Sequence, residues 1–347
     1  MQVLEGVYQL ITPFPKVSYE EARKWRADLG SKPRWIKTLP YVLPYAVSSN
    51  GETLLVDNGW NTDVAHDALQ QSLKDHDLSI ADVSQLALTH AHPDHFGLTG
   101  RVREESGCTV LMHEKEAEFI GSRYLEPDHL VADMKQFMIH HGVPAERSDK
   151  MATGSLGMLD KVYATEPDVK LKGGEAIKVG DFDFEVVWTP GHAPGHICLY
   201  EPNRKILLSG DHILPTITPN VSIHAQSAEN PLGDYMRSLT IVEALDVDHV
   251  LPAHEFDIKE LKKRITEIRV HHEERLEEMV RCVGEGGSSA FEVAGRVVWA
   301  TGRLEEFEPF MQRAAVGETL AHLEYLDELG QVRKERGEDG IFRWWRA

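Results

Sequence analysis

The stretch His90-Ala91-His92-Pro93-Asp94-His95 places four potential metal ligands within six residues. A short apolar run at 85–88 leads into it, and Pro93 suits neither a strand ladder nor a helix interior, so the chain must turn here. A turn can direct alternate side chains at a common centre. Imidazole nitrogens and a carboxylate gathered this way suit zinc, iron or manganese.

Three positions further along repeat the arrangement. Phe182, Phe184, Val186 and Trp188 alternate as in a strand, and His192 follows through Thr189-Pro190-Gly191. Asp211 follows a predicted strand at 205–208 through Ser209-Gly210. His254 follows a predicted strand at 249–251 through Pro252-Ala253. Strands of one sandwich would bring these ends to one rim, and loops on a rigid scaffold are where catalytic groups sit.

The surrounding pattern predicts a strand over 3–12, then a hairpin of 41–48 and 52–56 around Ser49-Asn50-Gly51. Helices are expected over 61–75 and 99–106, and a strand over 109–112. Residues 116–165 read as a helical insertion, a candidate lid whose Met134, Met138, Met151 and Met158 are expected to pack a core. From Phe256 onward Ile265, Ile268, Leu276, Met279 and Val283 fall largely at helical spacing among many charges, and His271-His272 on this helix are expected to face solvent. After a glycine-rich break at 284–287, Ser288 or Ser289 can cap a helix. A last helix over 314–329 is stopped by Gly330, and a hairpin turns at Gly337-Glu338-Asp339-Gly340. The expected organisation is a catalytic domain over 1–260 and a small helical, winged-helix-like domain over 261–347.

Composition narrows the function classes. In 347 residues, 41% are hydrophobic, enough for a packed core. No apolar run approaches a membrane span, and residues 1–10 lack the pattern of a signal peptide. Three widely spaced cysteines do not form a disulfide framework and fit a reducing cytoplasm. The net charge of −19 repels nucleic-acid backbones and anionic membranes at long range. Arg333, Lys334, Arg336, Arg343 and Arg346 cluster on the terminal hairpin, yet residues 284–347 hold eight Lys or Arg against twelve Asp or Glu.

The order His-x-His-x-Asp-His, Thr-Pro-Gly-His, Ser-Gly-Asp, Pro-Ala-His resembles the metallo-β-lactamase superfamily over residues 1–260. Leu55-Val56-Asp57-Asn58-Gly59 is similar to that family's early Asp-x-Gly strand end. The resemblance implies an α+β fold, an αββα sandwich with metals at one edge of its two sheets. It implies that His90, His92 and His192 hold one metal, that Asp94, His95 and His254 hold a second, and that Asp211 bridges them. Asp57 and His196 would orient ligands by hydrogen bonding. Two divalent ions, zinc foremost with iron or manganese as alternatives, would provide a metal-bound hydroxide near neutral pH, with Asp94 or Asp211 guiding the proton.

The run Thr189-Pro190-Gly191-His192-Ala193-Pro194-Gly195-His196 is similar to glyoxalase II and related thioesterases, which implies a small ester or thioester substrate, acyl-CoA-like among them. The segment after Asp211, Ile213 to Asn220, departs from glyoxalase II, and the C-terminus lacks its glutathione-binding pattern. Asn220, His224 and Tyr235, downstream of Asp211, are candidate substrate contacts. The C-terminal segment resembles that of a branch with an RNA-cleaving member, so a second reading is an endoribonuclease or phosphodiesterase that reaches nucleic acid through the wing. The alternative for the wing is a solvated surface that packs a homodimer or covers the active site. A third reading is a mononuclear-iron oxidoreductase, because persulfide dioxygenases use a reduced ligand set of this motif.

Overall fold

Alternating apolar side chains build two facing sheets. In the computed structural model, which describes residues 1–29, 39–300 and 302–347, the strand Glu52–Val56 sends Leu54 and Val56 to one face and Leu55 to the other. The strand Phe182–Trp188 does the same with Phe182, Phe184 and Val186 against Val187. The first faces meet: Leu54, Val56 and Leu111 of one sheet pack with Phe184, Leu199 and Leu208 of the other. The outer face of the first sheet is covered by the helices Asp63–Lys74 and Thr99–Ser106 through Leu69, Leu73 and Val102. The outer face of the second is covered by the helices Pro231–Glu243 and Leu261–Cys282 through Leu232, Leu239, Ile265 and Ile268. The result is the αββα sandwich expected from the sequence, with the C-terminal helices sharing one apolar cluster with the second sheet.

Sheet direction decides where the ligand loops emerge. Glu52–Val56, Gln85–Ala87, Thr109–His113 and Val169–Leu171 run parallel in the seven-stranded sheet. In the five-stranded sheet Ile206–Gly210 and His249–Pro252 run parallel. Phe182–Trp188 lies antiparallel to Ile197–Glu201, which is antiparallel to Ile206–Gly210. The ends at Trp188, Gly210 and Pro252 therefore point the same way.

Some elements differ from the sequence expectation. The predicted strand over 3–12 is broken into Gln2–Leu4 and Val7–Gln9, which pair antiparallel. Gly6 permits the reversal with φ of 74°, where a Cβ would stand 2.9 Å from the Ser48 carbonyl. The last helix spans Pro309–Glu328, a turn longer than expected, because proline is favourable in a first helical turn. The helices Tyr19–Leu29 and Pro231–Glu243 were absent from the sequence reading. The second of these starts at an Asn230 cap that accepts from Gly233 N, followed by Pro231.

The insertion is helical, with Glu114–Ile120, a π-helical turn Gly121–Leu125, Asp128–His140 and Ala145–Thr153. Met134, Met138 and Met151 are buried in the cluster shared with the C-terminal helices. There, Ser289 and Glu292 form a reciprocal cap on the helix Ala290–Ala294, and the hairpin Val332–Arg336 with Phe342–Arg346 buries Trp344. His272 corrects an expectation: it is buried rather than solvent-facing, because it packs toward His322 of the final helix. No helix among the described residues is long and apolar enough to cross a membrane.

Candidate metal centre

Each predicted ligand leaves the end of a strand, and two glycines make the approach tight. Gly191 has φ of 142°, and a Cβ there would lie 2.5 Å from Tyr235 Cβ. Gly210 has φ of 50°, and a Cβ would lie 2.7 Å from His196 Nε2. Both positions in Thr-Pro-Gly-His and Ser-Gly-Asp therefore require glycine.

The structure brings the five histidines and two aspartates together as two adjoining pockets. In the first, His90 Nε2 lies 2.8 Å from His92 Nδ1. His192 Nε2 lies 3.0 Å from His92 Nδ1 and 3.2 Å from His90 Nε2. In the second, His254 Nε2 lies 3.4 Å from Asp94 Oδ2 and 3.3 Å from Asp211 Oδ1, while His95 Nε2 lies 3.6 Å from both carboxylates. Asp211 faces both pockets, since its Oδ2 is 3.5 Å from His192 Nε2.

The outward nitrogen of four of the rings is already spoken for. His95 Nδ1 is 2.8 Å from Asp57 Oδ2, His192 Nδ1 is 2.8 Å from the Asn220 carbonyl, and His254 Nδ1 is 3.1 Å from the Tyr41 carbonyl. His90 Nδ1 is 3.0 Å from Thr89 Oγ1, whose own proton goes to Asp57. These acceptors place the proton on Nδ1 and leave each Nε2 lone pair aimed inward, the arrangement that metal-binding histidines use. Among the described residues, His95 Nε2, His254 Nε2 and Asp211 Oδ1 are buried without a hydrogen-bond partner. Orphaned buried acceptors of this kind, converging with three imidazole nitrogens, fit divalent cations.

The two pockets differ in charge. Burial and the neighbouring imidazoles hold His90 and His92 well below the ordinary histidine range. Burial also opposes protonation of His254, but Asp211 and Asp94 outweigh it and bring it up to about 10. His95 is raised by Asp94, Asp211 and Asp57 against the same burial. Burial opposes ionisation of Asp94, yet His95 and His254 bring its carboxyl down to about 2. Without cations, then, the second pocket holds its carboxylates against protonated rings, while His90 and His92 of the first stay neutral.

Asp57, at the end of Glu52–Val56, sits at φ of 58° and accepts from Thr89 N and Thr89 Oγ1 as well as His95. His196 donates to Thr189 Oγ1 and accepts from Asp211 N at 3.1 Å, so it fixes the backbone that carries Asp211. Asn220 acts through its carbonyl on His192, and its side chain turns to Glu318. His224 lines a cleft beside His192 with Ser222, Ser227 and Pro231. Tyr235 is fully buried behind Gly191, its hydroxyl donating to the His212 carbonyl.

Two positioning residues were missed in the sequence. Glu116, fully buried, accepts from Ala91 N at 3.0 Å and from Gly195 N at 2.9 Å, and so joins the His90–His95 loop to the His192–His196 loop. The Tyr124 hydroxyl donates to the Ala91 carbonyl, so the peptide between two ligands is held on both sides. The one signal was an acidic residue in the first turn of the helix that follows Thr109–His113.

Residues 38–254 match the metallo-beta-lactamase superfamily, and residues 305–347 match the metallo-beta-lactamase-like C-terminal domain. The probable metallo-hydrolase YqjP of Bacillus subtilis (strain 168) is 27% identical over 310 residues, covering 88% of this chain and 90% of that protein. The crystal structure of metallo-beta-lactamase family protein TTHA1429 from Thermus thermophilus superposes over 100% of both chains with a TM-score of 0.79 at 31% identity. The acyl-coenzyme A thioesterase MBLAC2 of Bos taurus is 34% identical over 98 residues, 27% of this chain and 33% of that protein.

Proposed function

The chain belongs to the metallo-β-lactamase superfamily and is a metallo-hydrolase, and from that premise we propose that it cleaves a small thioester or ester with two divalent cations, zinc foremost. The observation that carries this reading is Asp211, which directs one oxygen to each pocket while His95 Nε2 and His254 Nε2 stay unpartnered beside it. His90, His92 and His192 would hold one cation, Asp94, His95 and His254 the other, and Asp211 both. When bound, the cation pair supplies an ionised water near neutral pH and Lewis-acid stabilisation of the oxyanion.

The protein's own groups do the rest. Asp57, Thr89 and the Asn220 and Tyr41 carbonyls fix the rings, and Glu116 fixes the two loops against each other. Asp94, the more exposed of the two carboxylates at 16%, would take the proton from water and pass it to the departing thiol. Water adds to the carbonyl carbon, the carbon–sulfur bond breaks, and the thiol leaves with that proton.

The thioester choice is supported by the partial similarity to an acyl-coenzyme A thioesterase. The nuclease reading has less support, because the basic residues of the hairpin have internal partners. Lys334 pairs with Glu324, Arg343 with Asp339 and Arg333 with Glu335, while Arg346 donates to the Val283 and Arg281 carbonyls. The test is a panel of acyl-CoA thioesters, carboxylic esters and phosphodiesters with metal-loaded protein. Release of free thiol that is lost in His254→Ala is expected. Phosphodiester cleavage without thiol release, or oxygen uptake indifferent to His254→Ala, would overturn the reading.

A further inference from the structure

The π-helical turn Gly121–Leu125 is tied to its surroundings on either side of Arg123. Tyr124 binds the Ala91 carbonyl, and Ser122 Oγ accepts from Gln226 Nε2 at 2.8 Å. Such turns concentrate at functional sites. The Arg123 side chain is only 15% exposed, and its Nε donates to Gln226 Oε1 at 3.3 Å. The carboxylate it approaches, Glu116, is 3.9 Å away, and both oxygens there already accept backbone N–H groups. The fork of this guanidinium is thus left with donors to spare.

Its neighbours are donors as well. Gln226 N donates to His224 Nδ1 at 3.2 Å, so the neutral ring carries its proton on Nε2. Burial, reinforced by Arg123 and Arg313, keeps His224 neutral, with a pKa of about 3. Arg313 gives Nη1 to the carbonyls of Met151 and Ala152, and among the described residues it makes no ion pair with a carboxylate. His224 lines the cleft beside His192, and the charge of Arg123 bears on both His92 and His224. In a chain with 56 acidic and 37 basic residues, a guanidinium that reaches Gln226 and the Tyr124 hydroxyl but, among the described residues, has no carboxylate at hydrogen-bond distance marks a place for an anion beside the reacting centre.

We propose that Arg123, with the Nε2–H of His224, binds an anionic group of the substrate, a carboxylate or a phosphate, on the His192 side of the centre. This rests on the thioester reading above and narrows it to charged substrates. Arg123 is a binding residue in this account, and Gln226 and Ser122 position it.

The test uses metal-loaded protein and two matched pairs of thioesters. Butyryl and succinyl thioesters of N-acetylcysteamine differ by a carboxylate in place of a terminal methyl on the acyl side, and acetyl-pantetheine and acetyl-4′-phosphopantetheine differ by one phosphate on the thiol side. In one of the pairs the charged member is expected to be favoured in kcat/KM by about tenfold or more, the scale of one charge-assisted hydrogen bond. Arg123→Gln brings that ratio close to one, and Arg123→Lys, which keeps the charge without the fork, retains part of it. Calorimetry with succinate and with inorganic phosphate gives an independent readout, with binding of at least one expected to be about tenfold weaker in Arg123→Gln at equal metal content. No charge preference in the wild type, or one that survives Arg123→Gln, overturns the proposal. If no thioester is cleaved, the functional reading fails, and calorimetry alone decides the anion site, with equal affinities overturning it.

Discussion

At the sheet edge His95 and His254 stand beside Asp94 and Asp211, whereas at the C-terminal helices His212 and His272 flank Tyr235, and His322 meets His272, among apolar side chains. Both groups are buried. At the edge, carboxylates overcome the cost of burial and the ring nitrogens converge on shared centres. At the helices burial is opposed only by backbone hydrogen bonds, at Ser238 for His212 and Glu318 for His322, and it still holds His212 down to about 3 and His322 to about 4. His322 donates to the Glu318 carbonyl and is reached by His272, a neutral chain between two helices. The same residue type thus serves a cation site in one place and a seam between two helices in the other, and the company of carboxylates is what distinguishes them.

Substitutions should separate the two regions. Asp211→Ala removes the residue common to both pockets, and thioester cleavage should fall by more than about a hundredfold, beyond what loss of a supporting partner costs. Elemental mass spectrometry of that variant should show both cations depleted, whereas His192→Ala should deplete one. Glu116→Gln turns one accepting oxygen into an amide donor facing a backbone N–H. Metal affinity should weaken by about tenfold, measured by competition with a chelator. Full affinity in Glu116→Gln would show that the loops hold without it.

The seam should respond to acid instead. His322 is lowered from 6.5 to about 4, and His272 is also lowered, so the unfolded chain takes up protons that the folded chain refuses. Stability should therefore decline as pH falls from about 6.5 toward about 4, with His322 contributing up to about 2–3 kcal/mol. His322→Gln should flatten that decline in chemical denaturation, and an unchanged slope would remove His322 from the account. The smallest effect is expected for Ser289→Ala, which breaks the reciprocal cap with Glu292. It should cost about 1 kcal/mol and leave metal content unchanged.

The edge was legible in the sequence because its chemistry is local. The segment 90–95 carries four ligands, and a glycine or proline immediately before His192, Asp211 and His254 or within two residues of them marks the turn that follows each strand. The sandwich followed from alternation in strands such as Phe182–Trp188. The seam was not legible. His272 lies in a helix rich in charge, and nothing nearby reveals that His322, fifty residues on, will cover it. Glu116 was hidden for the same reason, since its partners Ala91 and Gly195 offer only backbone N–H groups, which every residue but proline carries.

The central claim is that the edge holds two cations, and the most direct test is metal content per chain in protein purified anaerobically without chelator. The account predicts about two divalent ions per chain, falling toward none in Asp211→Ala. About one iron per chain with no second metal, unchanged by His254→Ala, would contradict it.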